Sequence, residues 1–143
     1  MKNKIYLLLF MLGVTFTVHA QNADIQVTVN DIEAAGEGPL VFMLFASSDG
    51  FPSDPAKARQ IGEVTSYTSL ATFTFSNVPA GKYAVAVFQD KNGNGSVDTN
   101  FIGIPKEPVG AFQHSSVGRP NFGKCSFTHD TAISQLNVQL INQ

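Results

Sequence analysis

The chain has 143 residues, of which 43% are hydrophobic and 14% charged, with a formal net charge of -2, 12 Phe, no Trp and one Cys. This apolar content excludes a disordered chain, and a single cysteine excludes both an internal disulfide framework and a thiolate metal cluster. The slightly negative charge excludes the basic surface that a nucleic-acid-binding protein needs. We therefore expect one globular domain that does not bind nucleic acid.

Residues 1–20 have the features of a cleaved secretory signal peptide. Two lysines precede an apolar run at residues 5–18, and Val-His-Ala at residues 18–20 resembles a small-residue cleavage site. The run is shorter than the roughly 20 residues that a membrane-spanning helix needs, so cleavage is favoured over an anchor. We expect residues 21–143 to form the exported domain, periplasmic or secreted, with 123 residues, a net charge of -4 and no transmembrane span.

Alternation of apolar and polar residues predicts about seven short strands. They lie at residues 25–29, 40–46, 61–67, 73–75, 83–88, 126–128 and 133–141. Residues 40–46 are apolar on both faces, which indicates a central strand covered on both sides. The fold class expected from this pattern is an all-β, antiparallel β-sandwich with a prealbumin-like or immunoglobulin-like Greek key and long loops.

One helix start is present in the connection after the second predicted strand. Asp54 can cap a helix, and Pro55 then takes the first helical position, where its missing N–H costs nothing. We expect one short helix of one or two turns within residues 53–59.

The loop after the fifth predicted strand has the oxygen spacing of a calcium loop. Its candidate metal ligands are Asp90, Asn92, Asn94, the backbone carbonyl of Ser96, and Asp98, at positions 1, 3, 5, 7 and 9 of that pattern. Position 12 is Phe101, where an EF-hand has a bidentate Glu, so we expect a weak, structural Ca²⁺ site of about 10⁻⁴ to 10⁻³ M. A plain polar hairpin turn built on Asn-Gly is the alternative.

Long irregular loops supply the candidate ligand contacts. Residues 90–100 and 105–123 are almost continuous, and loops of this length in a small domain are usually functional or disordered. The expected binding face consists of residues 51–58, the calcium loop and residues 101–122. Its candidate ligand-binding residues are Phe51, Phe112, His114 and Phe122. Loop aromatics also fold back over the edge of a core, and that alternative stays open.

We expect no catalytic residue. A small hydrolase using His114 and Ser115 is an alternative, but residues adjacent in sequence do not make a triad, and no G-x-S-x-G motif is present. A zinc site from His114, His129 and a carboxylate lacks a short ligand spacing. The lone Cys125 is expected to be a small buried thiol, with a reactive thiol or an intermolecular disulfide as the alternative.

Three segments resemble motifs of a known family. Residues 85–107 read Val-Ala-Val-Phe-Gln-Asp-Lys-Asn-Gly-Asn-Gly-Ser-Val-Asp-Thr-Asn-Phe-Ile-Gly-Ile-Pro-Lys-Glu, residues 45–58 read Phe-Ala-Ser-Ser-Asp-Gly-Phe-Pro-Ser-Asp-Pro-Ala-Lys-Ala, and residues 78–83 read Val-Pro-Ala-Gly-Lys-Tyr. They resemble motifs of a family of small exported bacterial proteins, domain of unknown function family 2141. The resemblance implies a sandwich of the transthyretin or carboxypeptidase-regulatory type and implies no activity.

This sequence departs from the family pattern in one loop. After the Ile-Pro-x-Glu motif, similar proteins tend to continue as Gly-Tyr-Gly-Phe-Ser-Asn-Asn, whereas residues 109–115 here are Val-Gly-Ala-Phe-Gln-His-Ser. Our expectation is therefore an exported, non-enzymatic β-sandwich with a calcium loop that binds an envelope protein, a glycan or a small apolar ligand. A transthyretin-like carrier, using a subunit interface, is a further alternative.

Overall fold

Eight β-strands in two sheets make up the computed structural model, which describes residues 21–142. The strands are β1 (Ala23–Asn30), β2 (Leu40–Phe45), β3 (Gln60–Val64), β4 (Ala71–Val78), β5 (Gly81–Gln89), β6 (Val109–Ala111), β7 (Ser126–His129) and β8 (Ser134–Gln139). A 3₁₀ helix lies at Pro55–Lys57, and one helical turn, α1, at Phe122–Cys125. The predicted signal peptide lies outside the described residues. Within them, no helix has the length and apolar character to span a bilayer.

The predicted β-sandwich is confirmed, with two corrections to its topology. One sheet has the order β4-β1-β8, and the other has the order β3-β2-β5, with β6 and β7 both pairing along the free edge of β5. The sheets are not purely antiparallel, because β1 and β8 pair in parallel. Strand β6 was not predicted, because three residues that include Gly110 are too few to show alternation. Strand direction is likewise not encoded in a local pattern.

The space between the two sheets contains the larger hydrophobic core. Ile25, Val27 and Val29 of β1 point into it and are fully buried, while the polar residues between them face outward. The five-stranded sheet contributes alternate residues of β2 and β5, including Phe42 and Val85. This alternation explains why the sequence pattern located β1 correctly.

A second hydrophobic cluster covers the outer face of the five-stranded sheet. Here the opposite set of residues from β2 and β5, including Met43 and Phe88, is buried beneath loops rather than beneath another sheet. Phe51 and Val97 come from the covering segments and pack in this cluster. The prediction that residues 40–46 are covered on both sides is confirmed for the six residues of β2, but Ala46 lies after the strand and is exposed.

The predicted helix start is also confirmed. Asp54 has extended backbone angles, and its side chain accepts a hydrogen bond from the backbone N–H of Ala56 at 3.0 Å. The helix is a single 3₁₀ turn, and it helps to hold residues 51–58 over the outer face of the five-stranded sheet.

Strand β6 lies so close to β8 that only glycine fits at residue 110. A Cβ added to Gly110 would overlap the backbone carbonyl of Gln139. We expect Gly110→Ala to reduce the free energy of unfolding by about 1–3 kcal/mol, because the two strands must separate. Urea unfolding measures this loss. Gly123→Ala is the control, since its Cβ would come no closer than 3.2 Å to the Asn121 side chain. Equal effects of the two substitutions would contradict close packing of β6 against β8.

Candidate functional site

The chain leaves β5 at a buried aspartate that organises the following loop. Asp90 is only 2% exposed. Its Oδ1 accepts hydrogen bonds from the backbone N–H groups of Gly93 and Asn94 at 2.8 and 3.1 Å, and its Oδ2 accepts one from Gly95 at 2.7 Å. Gly93 and Gly95 have φ values of 72° and 75°, which glycine adopts at no steric cost. These three backbone N–H groups replace the water that the buried carboxylate has lost.

The remaining polar side chains of this loop converge on Asp98. Oδ2 of Asp98 accepts hydrogen bonds from the side-chain amides of Asn92 and Asn94. The Oδ1 atoms of these asparagines accept backbone N–H bonds from Asn94 and Ser96 at 3.1 and 2.8 Å. The alternating side chains predicted from the spacing are therefore close together, and each amide oxygen retains a second lone pair.

Glu107 is a site residue whose role the spacing analysis missed. It is 5% exposed, and its two carboxylate oxygens accept hydrogen bonds from the backbone N–H groups of Lys91 and Asp98, at 2.9 and 3.2 Å. The carboxylate thus links the beginning of the predicted calcium loop to its end. Glu107 lies in a Pro-Lys-Glu-Pro sequence within an otherwise apolar stretch. This position is the only local feature that could have indicated a buried, functional carboxylate.

The oxygen atoms of this loop could supply some, but not all, of the ligands that a hard cation needs. Ca²⁺ takes six to eight oxygen ligands. Asp90, Asp98, two asparagine amides and one backbone carbonyl give five oxygen-bearing groups, and water would complete the shell. Within residues 21–142, no three His, Cys, Asp or Glu side chains form a metal-binding group. The same result gives no support to the zinc alternative.

An apolar cavity of about 280 Å³ lies beside the calcium loop, on the outer face of the five-stranded sheet. Its floor includes Met43 of β2 and Ala86 of β5, which are register partners, and its walls come from three loop segments. Pro52 and Ser53 belong to the first segment and Val97 and Thr99 to the calcium loop; residues 103–105 and 117–120 come from the third. These are the three segments of the predicted binding face.

Small residues at the sheet surface leave this space open. Ala86 lies opposite Met43 on one side and Ala111 on the other. A larger side chain at Ala86 would fill the volume, and Phe88, two residues further along the strand, also lines the cavity. The sequence shows Ala84, Ala86 and Phe88 as one apolar face, and it does not show which of them borders an opening.

Arg119 is the one charged residue among the described residues that line the cavity. Its Nη2 donates a hydrogen bond to the backbone carbonyl of Phe51 at 3.3 Å. The remaining lining side chains are apolar apart from Ser53 and Thr99. Arg119 is exposed at the cavity, and sequence analysis did not single it out because nothing in the local sequence distinguishes it from other surface arginines.

The predicted aromatic contact residues lie at the edges of the cores. Phe51 is 5% exposed and packs edge-to-face against Phe45 and Phe122, with ring centroids 5.5 and 5.8 Å away. Phe112 packs against Phe127 in the same manner, at 5.5 Å. None of Phe51, Phe112 or Phe122 lines the apolar cavity. They fold back because burying an aromatic ring in a nearby cluster is worth more than leaving it in water.

His114 lies elsewhere, in a more open and polar depression of about 440 Å³. Ser115 and Asp31 line the same depression, but the imidazole Nε2 of His114 contacts the backbone carbonyl of Gly118 at 3.1 Å. No hydrogen bond joins His114 to Ser115 or Asp31 in the described part of the chain. The geometry of an activated serine, with base and orienting acid in hydrogen-bond contact, is therefore not formed here.

The lone thiol and the second histidine are structural. Cys125 ends α1, is 1% exposed, and burial raises the pKa of its thiol above the ordinary value. A buried thiol that resists ionisation is unreactive. His129 is also 1% exposed, with Nδ1 at 2.8 Å from Ser134 Oγ and Nε2 at 3.3 Å from the Ala23 carbonyl. Both of its ring nitrogens are thus engaged.

Comparison with known families gives one match, to the family described as "Uncharacterized protein conserved in bacteria (DUF2141)", over residues 27–137. The chain belongs to this family. Comparisons with curated proteins and with solved structures returned no match. The DUF2141 segment runs from β1 into β8 and contains the whole predicted calcium loop and every residue that lines the apolar cavity. Both features therefore lie within the matched segment, and the family description assigns neither of them a ligand.

In this DUF2141 chain, the Glu107 bridge makes a testable contribution to stability. In Glu107→Gln, an amide N–H₂ replaces one of the oxygens that face the N–H groups of Lys91 and Asp98. We expect the free energy of unfolding to fall by about 1–3 kcal/mol, because a buried donor then lacks an acceptor. Urea unfolding in the presence of a calcium chelator measures this loss of stability.

Glu63→Gln on β3 is the matched control, since Glu63 is exposed. We expect this substitution to change stability by less than about 0.5 kcal/mol. A Glu107→Gln effect as small as that of the control would mean that the carboxylate does not hold the two ends of the loop.

Proposed function

We propose that this protein is an exported, non-enzymatic binding module of the bacterial cell envelope, in which a calcium-bound loop forms one wall of a cavity for a small apolar ligand. One observation carries the proposal. Three loop segments that are separate in sequence close over a single apolar cavity on the outer face of the five-stranded sheet. Ligand sites are typically concave and mostly apolar, with few polar groups.

The lining chemistry favours binding over catalysis. Ser53, Thr99 and Arg119 are the polar side chains at the cavity, and none of the described His, Cys, Asp or Glu residues lines it. A serine or threonine without a base is a weak nucleophile. The side chains at this site are suited to holding a ligand by apolar contact.

Calcium is proposed as the structural ion of the loop. Asp90 and Asp98 bring two negative charges into one turn, and Asn92 and Asn94 add amide oxygens between them. A cation at their centre would offset the repulsion between the carboxylates and would use the free lone pairs of the amides.

The proposed ion and the cavity are joined by the chain itself. Val97 and Thr99 line the cavity, and Asp98 lies between them in the calcium loop. The backbone N–H of Asp98 is held by Glu107, and its carbonyl accepts a bond from the N–H of Lys106 at 2.8 Å. An ion bound by Asp98 would therefore order one cavity wall as well as its own loop.

Calcium should raise the thermal midpoint of the protein. At about 1 mM Ca²⁺ and a dissociation constant near 10⁻⁴ M, binding to the folded state contributes about 1.4 kcal/mol. For a domain of this size we expect a rise of about 5 °C relative to protein in chelator, measured by differential scanning calorimetry.

Asp98→Asn and Asp130→Asn make a matched pair for this experiment. Each substitution removes one carboxylate charge, but Asp130 lies outside the loop, beside Ala132. Asp98→Asn should lose most of the calcium-dependent rise, and Asp130→Asn should keep it. A wild-type midpoint that calcium does not change, or an equal rise in both variants, would remove calcium from the proposal.

The cavity itself is tested with octan-1-ol, a neutral chain of nine non-hydrogen atoms. At roughly -0.5 kcal/mol per non-hydrogen atom we expect a dissociation constant between about 10⁻⁴ and 10⁻³ M by titration calorimetry. Thr99→Trp should abolish binding by placing an indole in the cavity. Thr72→Trp, at an exposed threonine of β4, is the control and should bind normally.

Two results would reject a ligand-binding cavity. One is the absence of measurable binding to the wild-type protein in calcium. The other is equal binding by Thr99→Trp and wild type, with both proteins folded as judged by their thermal transitions, because octanol would then bind elsewhere.

A further inference from the structure

We infer that the natural ligand of this cavity is an acidic amphiphile, a short apolar chain or ring system with one carboxylate that pairs with Arg119. This inference rests on the proposed binding function and adds the chemical class of the ligand. Its basis is the combination of an apolar lining, a single guanidinium and an exposed apolar turn beside the opening.

The charge argument begins with Arg119. The two ion pairs in the described part of the chain are Lys57 with Asp49 and Lys91 with Glu37, and neither involves Arg119. A guanidinium has five N–H donors, and the bond to the Phe51 carbonyl uses one of them. A planar carboxylate matches the remaining donors in a bidentate geometry. No carboxylate of the described residues lines the cavity to compete for that position.

The volume limits the size of the ligand. The cavity measures about 280 Å³, just below the roughly 300–1,000 Å³ typical of small-molecule pockets, so it suits a short ligand. Octanoate has ten non-hydrogen atoms, so its carboxylate can remain at Arg119 while most of its chain lies in the cavity. Larger ligands would have to extend past the opening.

An apolar surface is available for such an extension. The Oδ1 of Asn100 accepts hydrogen bonds from the N–H groups of Ile102 and Ile104, both at 3.0 Å, and so closes a tight turn. This turn leaves Phe101 99% exposed and Ile102 65% exposed. Gly103 and Ile104, which follow directly, line the cavity. The exposed side chains therefore continue the apolar lining outward, which suits a longer tail.

The test compares octanoate with octan-1-ol in titration calorimetry at pH 7.5, with calcium present. The two probes share a chain of eight carbons and differ in head-group charge. We expect wild-type protein to bind octanoate at least tenfold more tightly than octan-1-ol, because charge-assisted hydrogen bonds exceed neutral ones in strength. Arg119→Gln should remove this preference, so that the variant binds octanoate no more tightly than it binds octan-1-ol.

Arg59→Gln is the matched control for overall charge. Arg59 is exposed and lies outside the cavity lining, so its loss should leave the tenfold preference intact. Arg119→Lys should retain part of the preference, since an ammonium keeps the charge and loses the bidentate geometry.

The results separate this inference from the proposed function. If octan-1-ol binds and octanoate binds no more tightly, or if Arg119→Gln keeps the preference, the acidic ligand class is wrong while the binding cavity stands. If neither probe binds, both the inference and the proposed binding function are wrong. A tenfold preference that disappears in Arg119→Gln and persists in Arg59→Gln supports both.

Discussion

The requirement that β5 be buried on both faces determines most of this structure. A sandwich covers only one face of each sheet with its partner sheet, and here that covered face of β5 carries Tyr83, Val85 and Val87. The other face carries Ala84, Ala86 and Phe88, and it is buried as well. Loops must therefore cover it, because a buried Phe is worth about 1.5–3 kcal/mol relative to an exposed one. The long segments after β2 and β5 supply this cover through Phe51 and Val97. Since Ala86 is small, the covering loops meet the sheet imperfectly and leave a cavity.

Buried carboxylates hold those loops in position. Where β5 ends, Asp90 remains inside, and its charge is compensated by backbone N–H groups rather than by Lys or Arg. Glu107 accepts hydrogen bonds from two N–H groups at the opposite ends of the predicted calcium loop. An unpaired buried carboxylate or N–H is costly, so the loop conformation and the placement of these charges depend on one another. The candidate ion site and the cavity wall are therefore parts of one hydrogen-bonded unit.

Prediction from sequence succeeded where the physical signal is local. Alternation located β1 because its inward and outward residues differ in polarity, and Asp54 followed by Pro55 located the 3₁₀ turn through capping chemistry. It failed for β6, which has only three residues and is separated from β5 by a long loop. It also failed for the parallel pairing of β1 with β8. The candidate site shows the same division. Regular spacing identified Asp90, Asn92, Asn94 and Asp98 as candidate ligands. The role of Glu107 could not be predicted in this way, because its hydrogen-bond partners lie 16 and 9 residues away along the chain.

The sequence by itself determined a family, an all-β fold, a loop of regularly spaced oxygens and the three loop segments that line the apolar cavity. These follow from periodicity, turn chemistry and local spacing, which short stretches of chain express alone. Tertiary structure alone decided that Phe51, Phe112 and Phe122 pack at core edges, that Ala86 borders an opening, and that Arg119 stands at it. Whether an aromatic ring is buried and where a cavity remains depend on how distant segments pack over one surface. That is a property of contacts between residues far apart in the chain, and no local pattern contains it.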